Sequence, residues 1–366
     1  MSVLLFTKKI NHTANVVLAV AMLALSFDVF NSAYILFGYY KEFPPFMGIT
    51  YSFPFLYGPI FYIYAKIISS GETSFNPKYY FHFIPFVLLV IYGTVFVYLE
   101  SNEFKLSLMK TGAEKYLPGI EFISYLKPIH GLIYVFLTIH IVRVFNDKIK
   151  NSFSNIDRIN LNWLLHLTVG LIVVWGIVVI GYIVNALSDS DVKMDYLIYT
   201  AASILIYSIG YLSLRQPQIL EPISPSKDSK LAPANERTIS GRTSYQKSGL
   251  TETEAQNHLK NLLQIMETEK PYLNSELTLR ELAEKLSMST HNLSEILNAR
   301  LNQNFYDFIN RYRVEEVKRR LANKESERFS LIAIAFDSGF NSKSTFNTIF
   351  KKHTGITPSQ YRKQIT

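Results

Sequence analysis

The chain has no cysteine among its 366 residues. This absence excludes disulfide bridges, thiolate metal sites and a cysteine nucleophile, but it carries no information about the compartment. The first ~215 residues also lack any transport or enzyme motif, and their histidines do not cluster at the spacing of metal ligands. We therefore predict a non-enzymatic protein with no catalytic residue, no metal site and no cofactor.

Charged residues are scarce within six long apolar stretches of the first 215 residues. Each stretch reaches the ~20 residues that a helix needs to cross ~30 Å of hydrocarbon. The sequence thus predicts six membrane-spanning helices, at Asn15–Tyr40, Phe43–Ser69, Tyr79–Leu99, Tyr125–Phe145, Leu161–Val184 and Asp195–Leu214. The segment Met1–Phe6 is similar to the tail of a further helix, which would give seven spans.

The basic residues of the loops predict how these spans are oriented. Lys8 and Lys9 precede the first span, and Arg143, Lys148 and Lys150 crowd the loop after the fourth. By the positive-inside rule these loops and everything after residue 215 lie in the cytoplasm. We expect a multi-pass protein of a bacterial inner (cytoplasmic) membrane with a cytoplasmic C-terminal domain.

Asp28 falls near the middle of the first predicted span. An ionisable group at that depth is costly, so it is a functional candidate. The alternative is a structural role, in which Asp28 faces the helix bundle and forms a hydrogen bond with a tyrosine or asparagine.

Composition divides the chain into three parts. Residues 1–215 are the apolar membrane domain, and residues 216–253 are rich in Pro, Ser, Lys and Gly with few apolar side chains. Such a composition predicts a disordered cytoplasmic linker. Residues 254–366 regain the periodicity of amphipathic helices. The predicted fold class is all-α, a transmembrane helical bundle followed by a small helical domain.

One pattern occurs twice in the last part. The first copy runs from Leu282 to Met288 and then from Ser289 to Leu297, and the second from Ile334 to Phe340 and then from Asn341 to Phe350. Each copy opens with an apolar–Ala pair, passes a small turn residue (Ser287 or Gly339) and resumes with apolar positions four apart. A short helix, a tight turn and a second helix form a helix-turn-helix motif. We predict two such motifs.

A long helix is predicted between the two motifs, over Asn304–Asn323. At ~30 Å it would match the ~34 Å repeat of B-DNA and set two recognition helices into successive major-groove turns. Residues 296–366 hold 13 Lys and Arg against 6 Asp and Glu, as phosphate contacts require. The predicted DNA-binding residues are Thr290, His291, Asn292, Ser294, Arg311, Arg313, Ser342, Lys343, Ser344, Thr345, Asn347, Lys351 and Lys352.

The second copy carries a longer signature, which runs from Leu331 through Ile334-Ala335, Gly339-Phe340, Ser342, Phe346, Phe350-Lys351, Gly355 and Thr357-Pro358 to Tyr361-Arg362. It resembles the signature of the AraC/XylS family of bacterial transcription regulators. The resemblance covers about the last 110 residues. It implies a seven-helix domain with two helix-turn-helix units and recognition helices at Ser289–Leu301 and Ser342–His353. It also implies that Gly339 makes the turn, while Phe340, Phe346 and Phe350 pack the core.

The sequence departs from this family in two places. In the first motif, Leu293–Asn298 lacks the Arg and Lys that are common there. The usual soluble amino-terminal half of the family is replaced by membrane spans, so its ligand-pocket residues cannot be carried over.

These observations predict a membrane-anchored, sequence-specific DNA-binding transcription regulator. Its membrane half would sense an envelope or small-molecule signal and control the tethered DNA-binding domain. The expected partners are double-stranded DNA, the lipid bilayer, an unknown signal ligand or membrane protein, and a second copy in a homodimer. The alternatives are a transporter that reports its own flux through an attached DNA-binding domain, and an enzyme embedded in the membrane.

Overall fold

The structure is a computed structural model, and it describes residues 2–7, 11–157, 159–187, 195–214, 251–323 and 328–365. Over these residues it is all-helical, and its one β-type pairing is an isolated bridge between Phe153 and Thr278. The predicted all-α fold class is confirmed. The α-helices of the described residues are α1 (Ser2–Thr7), α2 (His12–Leu36), α3 (Pro54–Ser70), α4 (Ile84–Gly93), α5 (Asn102–Thr111), α6 (Ile120–Lys150), α7 (Asn162–Leu187), α8 (Asp195–Leu214), α9 (Glu252–Thr268), α10 (Leu279–Lys285), α11 (Thr290–Leu301), α12 (Phe305–Leu321), α13 (Leu331–Asp337), α14 (Lys343–Thr354) and α15 (Pro358–Ile365).

The chain divides into two compact units. Among the described residues, the first unit holds residues up to 145 and those from 161 to 214. The second unit holds residues 146–160 together with everything from 251 onwards. The loop between α6 and α7 therefore belongs to the C-terminal unit, although the predicted membrane domain 1–215 included it. The predicted linker 216–253 lies, up to residue 250, outside the described residues.

Four helical segments of the first unit are long and apolar enough to cross a membrane. Three of them are α2, α6 and α7, with 25, 31 and 26 residues. The fourth is the segment Pro77–Tyr98, which has 22 residues and contains α4. These segments correspond to four of the six predicted spans.

Of the other two predicted spans, the second is shorter than expected, whereas the sixth is a helix with the predicted bounds, Asp195–Leu214. Helix α3 has 17 residues and begins at Pro54, not at the predicted Phe43. Pro44 and Pro45 open a 3-10 turn instead, because a proline lacks the N–H that a helix interior needs. Proline is accepted in the first turn of a helix, because the N–H at that position has no partner within the helix. Helix α3 accordingly begins at Pro54. In α8 the apolar part, Tyr196–Leu212, is also shorter than the four long segments.

In the second unit, a polar side chain at the N-cap position fixes where each of six helices begins. The cap oxygen accepts a hydrogen bond from the backbone N–H three residues on, which satisfies a donor that the helix leaves unpaired. Thr278 does so for α10. Its own backbone N–H donates to the Glu281 carboxylate, as the predicted capping box requires. The six cap residues are Thr251, Thr278, Ser289, Asn304, Ser330 and Ser342.

Two groups of apolar side chains form the core of the second unit. The first packs α9, α10 and α11 against α12, and it includes the predicted inward residues Leu282, Phe308 and Ile309. The second is aromatic: the ring of Phe346 lies 5.4 Å from that of Phe340 and 5.7 Å from that of Phe350. Phe350 also contacts Tyr361 of α15 at 5.4 Å. The core positions implied by the family resemblance are thus buried.

Both helix-turn-helix turns contain a residue in the left-handed backbone region, Ser287 with φ 53° and Gly339 with φ 92°. At position 339 only glycine fits. A Cβ atom there would lie 2.2 Å from the backbone oxygen of Tyr272 and 2.9 Å from Nε of Arg313. The second motif therefore approaches the turn before α10 more closely than any side chain permits.

We predict that Gly339→Ala destabilises the second unit by at least ~3 kcal/mol, because strain at positive φ adds to a clash with backbone. Gly355→Ala is the matched control. Gly355 also has positive φ, 80°, but a Cβ atom at this position would meet no other atom within 4 Å. The control should cost only ~1 kcal/mol. Amide hydrogen exchange of α13 and α14 in the full-length protein measures both, and equal losses would contradict the close approach.

Candidate nucleic-acid interface

The two helix-turn-helix motifs are formed by α10 with α11 and by α13 with α14, and α12 connects them. Helix α12 has 17 residues, three fewer than the predicted range. At 1.5 Å per residue it is ~25 Å long, not ~30 Å. Ser289 and Ser342 cap α11 and α14, so both recognition helices begin with the same local device.

On α11 the predicted DNA-binding residues differ in exposure. Thr290 and His291 are exposed, whereas Asn292 and Ser294 are half-buried. His291 Nε2 lies 3.9 Å from a carboxylate oxygen of Glu295 on the next turn. The Ser294 hydroxyl accepts a hydrogen bond from Asn298 at 3.3 Å. This helix thus offers a polar face whose basic character is weak.

On α14 the predicted residues Lys343, Ser344, Asn347 and Lys351 are exposed. Ser342 is half-buried, and its hydroxyl accepts from the backbone N–H of Thr345 at 3.2 Å to cap the helix. The Thr345 side chain is half-buried too, and its hydroxyl donates to Asp157 of the α6–α7 loop at 2.5 Å.

Arg313 does not lie on an exposed face, and the prediction that it contacts DNA is wrong. Its side chain is 2% exposed. Its Nε donates to the backbone oxygen of Tyr272 at 2.9 Å, and its Nη2 donates to that of Asn274 at 2.8 Å. Burial lowers the pKa of Arg313 to about 10, so the guanidinium stays charged at neutral pH. The charge pattern of α12 could not distinguish this inward arginine from its outward neighbours.

Much of the remaining positive charge of α12 is paired within the helix. Arg319 and Arg320 contact the buried carboxylate of Glu316 at 2.5 Å and 2.8 Å, and Lys318 contacts Glu315 at 2.8 Å. Burial opposes ionisation of Glu316, but the hydrogen bonds from Arg319 and Arg320 lower its pKa to about 2.

Two further basic residues of the predicted set also have partners. Lys352 of α14 pairs with Asp307 at 2.7 Å, and the Arg311 guanidinium lies 5.5 Å from the ring centre of Tyr312. Lys343 and Lys351 differ, since neither forms an ion pair with any residue that the structure describes. These two lysines are the basic groups of α14 with the most freedom to meet a phosphate.

Sequence reasoning missed the residues of the α6–α7 loop. Ser154 and Asp157 contact α12 and α14, from which they are separated by more than 150 residues in the sequence. No periodicity or motif could have indicated this pairing, because the loop reads as a short polar connection between two apolar helices.

Asp28 lies in the first unit, at the wall of a mostly apolar cavity of about 120 Å³. Its carboxylate accepts a hydrogen bond from the Tyr57 hydroxyl at 2.7 Å. Helix α7 contributes Trp175 to the lining, and α8 contributes Tyr199. The hydrogen bond to tyrosine fits the structural alternative for Asp28, while the adjoining space keeps the functional one open. Across the described residues no group of three or more His, Asp or Glu could hold a metal ion.

Comparison with known proteins finds similarity in the C-terminal part. A family model described as "Helix-turn-helix domain" matches residues 282–364. An uncharacterized HTH-type transcriptional regulator of Staphylococcus aureus (strain COL) is 33% identical over 91 residues, which make up 25% of this chain and 12% of that relative. A protein of Proteus vulgaris named Probable transcription factor PqrA is 29% identical over 112 residues, 31% of this chain and 88% of the relative. The similarity thus spans about an eighth of the staphylococcal protein.

A solved structure of a Listeria innocua protein of unknown function is 29% identical, with a TM-score of 0.26, and it covers 30% of this chain and 97% of its own. The geometry of the second unit and the family match agree on the class of domain. Residues 282–364 belong to the helix-turn-helix domains, a class that binds DNA. More narrowly, the C-terminal part of this chain is an AraC-type helix-turn-helix domain.

Proposed function

We propose that this protein is a membrane-anchored transcription regulator whose second unit binds double-stranded DNA through α11 and α14. The observation that carries the proposal is the duplicated helix-turn-helix, with both recognition helices capped alike and joined by one rigid helix. Asn and Lys side chains can form hydrogen bonds with the base edges of adenine and guanine, and Ser and Thr can contact bases or phosphates. Lys343, Ser344, Asn347 and Lys351 present these groups on one exposed surface of α14.

Membrane anchoring is supported by the apolar surface of the first unit. Large side chains such as Phe30, Phe136 and Tyr207 are 69%, 68% and 77% exposed. A soluble monomer rarely exposes large apolar patches, whereas lipid covers such side chains without cost.

The α6–α7 loop supports a particular topology. The loop and the helix-turn-helix domain belong to one compact unit, so they must lie on the same side of the membrane. The chain between them must then cross the membrane an even number of times. Helix α7 is a candidate span, so α8 must cross as well, even though its apolar stretch is short. Three candidate spans precede the α6–α7 loop, namely α2, Pro77–Tyr98 and α6. If the amino terminus and this loop are both cytoplasmic, the number of crossings between them must be even, so α3 must cross as well. The total is then six spans.

The cavity beside Asp28 supports a small-molecule signal. A cavity of roughly this size holds a molecule like benzene when its walls are apolar. One carboxylate at such a wall would favour a ligand that carries a hydrogen-bond donor or a positive charge. The proposed input is therefore a small apolar molecule with one such group.

For DNA binding, we predict that Lys343→Ala and Lys351→Ala each reduce the salt slope of binding by ~1, because each removes one phosphate contact. The probe is a fluorescent random-sequence duplex of ~30 base pairs, long enough for two successive major-groove turns. Titration of the full-length protein in nanodiscs at several salt concentrations gives the slope. Lys318→Ala is the control, since Lys318 already pairs with Glu315. Unchanged slopes for both α14 variants would refute the proposed surface.

For topology, we predict that a thiol introduced by Glu103→Cys reacts with a membrane-impermeant maleimide on intact spheroplasts. Thiols introduced by Lys148→Cys and Glu267→Cys should react only after permeabilisation. The absence of native cysteine makes each variant a single-site probe, and all three positions are exposed. Labelling of positions 148 and 267 from opposite sides would contradict the six-span topology.

For the input, we predict that benzylamine changes the fluorescence of Trp175 in the full-length Trp163→Phe variant, because Trp175 lines the cavity. Asp28→Asn should weaken benzylamine binding ~10-fold, the loss of one charge-assisted hydrogen bond, and leave benzene binding unchanged. The Trp175→Phe variant, which retains Trp163, should give no response. Equal weakening for both probes, or no response to either, would exclude the cavity as this kind of site.

A further inference from the structure

The loop between α6 and α7 pairs with the helix-turn-helix domain as a short extended segment. The backbone N–H of Ser154 donates to the oxygen of Leu277 at 3.2 Å, and that of Leu279 donates to the oxygen of Ser152 at 2.9 Å. Phe153 and Thr278 lie opposite each other between these bonds, in antiparallel arrangement. The segment thus docks by its main chain immediately before α10, the first helix of the first motif, as peptides do when they pair with an exposed edge.

The buried guanidinium of Arg313 holds the centre of this segment. Its Nη1 donates to the Ser154 backbone oxygen and its Nη2 to the Ser154 hydroxyl, both at 3.0 Å. Asn310, one turn earlier on α12, donates to the same backbone oxygen at 3.3 Å. A buried charge depends on such acceptors. A buried guanidinium N–H without an acceptor costs far more free energy than an N–H that is exposed to water. Release of the segment would leave Arg313 to be solvated by water.

The far end of the segment reaches the second recognition helix. The Asp157 carboxylate accepts the hydrogen bond from Thr345, one of the α14 residues that the sequence predicts to bind DNA. Asn155 donates to Glu276 at 3.1 Å, and Asn341, just before α14, donates to the same Glu276 oxygen. Docking therefore sets one acidic group directly against α14 and couples the segment to the residue that precedes the Ser342 cap.

We propose that residues 152–157 are an autoinhibitory segment of this protein, which docks on its own DNA-binding domain and lowers its affinity for DNA. The proposal rests on the proposed DNA binding by α14. When docked, the segment occupies the Thr345 hydroxyl and places the Asp157 charge where DNA phosphates must approach, so repulsion opposes binding. The segment connects α6 and α7, both candidate spans, and a signal that shifts these helices would withdraw it.

The absence of cysteine allows a direct test in the full-length protein. Phe153 and Thr278 form a non-hydrogen-bonded antiparallel pair, whose Cα atoms lie ~4.5 Å apart, within the range that a disulfide spans. The double variant Phe153→Cys/Thr278→Cys in nanodiscs should form an intramolecular disulfide under mild oxidation. Affinity for the random-sequence duplex should fall at least ~10-fold on oxidation and return on reduction.

The oxidised and reduced forms are the same protein, so the reduced form controls for the lost Thr278 cap. Each single-cysteine variant controls for oxidation itself and should show no change. A disulfide that fails to form would show that the segment does not dock, and affinity that is unchanged or higher after oxidation would show that docking does not inhibit. Either result overturns the proposal.

A second pair of variants tests the charge without a cross-link. Asp157→Asn keeps a hydrogen-bond acceptor for Thr345 and removes the charge, so we expect a several-fold higher affinity for the duplex. Asp147→Asn removes an equal charge from α6, outside the docked segment, and should have no effect. If neither the unmodified protein nor Asp157→Asn binds DNA, the proposed function fails; if the unmodified protein binds DNA and neither the disulfide nor Asp157→Asn alters affinity, autoinhibition alone fails.

Discussion

The second unit depends on the hydrogen bonds of one buried group, the guanidinium of Arg313. It is held by main-chain oxygens from the turn before α10 and from the α6–α7 loop, and it lies against the turn of the second motif at Gly339. The two helix-turn-helix motifs are thus built around one charged group. Such a group fixes geometry more strictly than an apolar contact, because each N–H must meet an acceptor in a defined direction.

Glu316 provides the opposite charge on the same helix, but it acts on a different part of it. Its buried carboxylate forms ion pairs with Lys270, Arg319 and Arg320 near the carboxyl end of α12. A surface that looks basic from composition is therefore partly neutral. The net charge of +7 over residues 296–366 overstates what α12 can offer to phosphates, and α14 becomes the more important source of positive charge.

The parts of the fold that depend on local sequence were predictable. Caps such as Thr278, the turn residues Ser287 and Gly339, and the aromatic positions Phe346 and Phe350 follow rules that act within a few residues. The site was less accessible. The direction of Arg313 depends on acceptors from distant segments, and the role of Asp157 depends on a loop that carries no motif. The shortened α3 is intermediate, because its prolines were visible but hydrophobicity alone set the predicted boundary.

The docked segment also changes what evolution can do with the α6–α7 connection. Surface loops usually accept insertions and deletions freely, but this one has a register. Adjacent residues of an extended strand point to opposite sides, so one residue added between Lys150 and Ser154 would turn the Ser154 hydroxyl away from Arg313. The length of the α6–α7 loop therefore determines whether the segment can dock. Homologues in which the segment docks should differ in the sequence of this loop more readily than in its length.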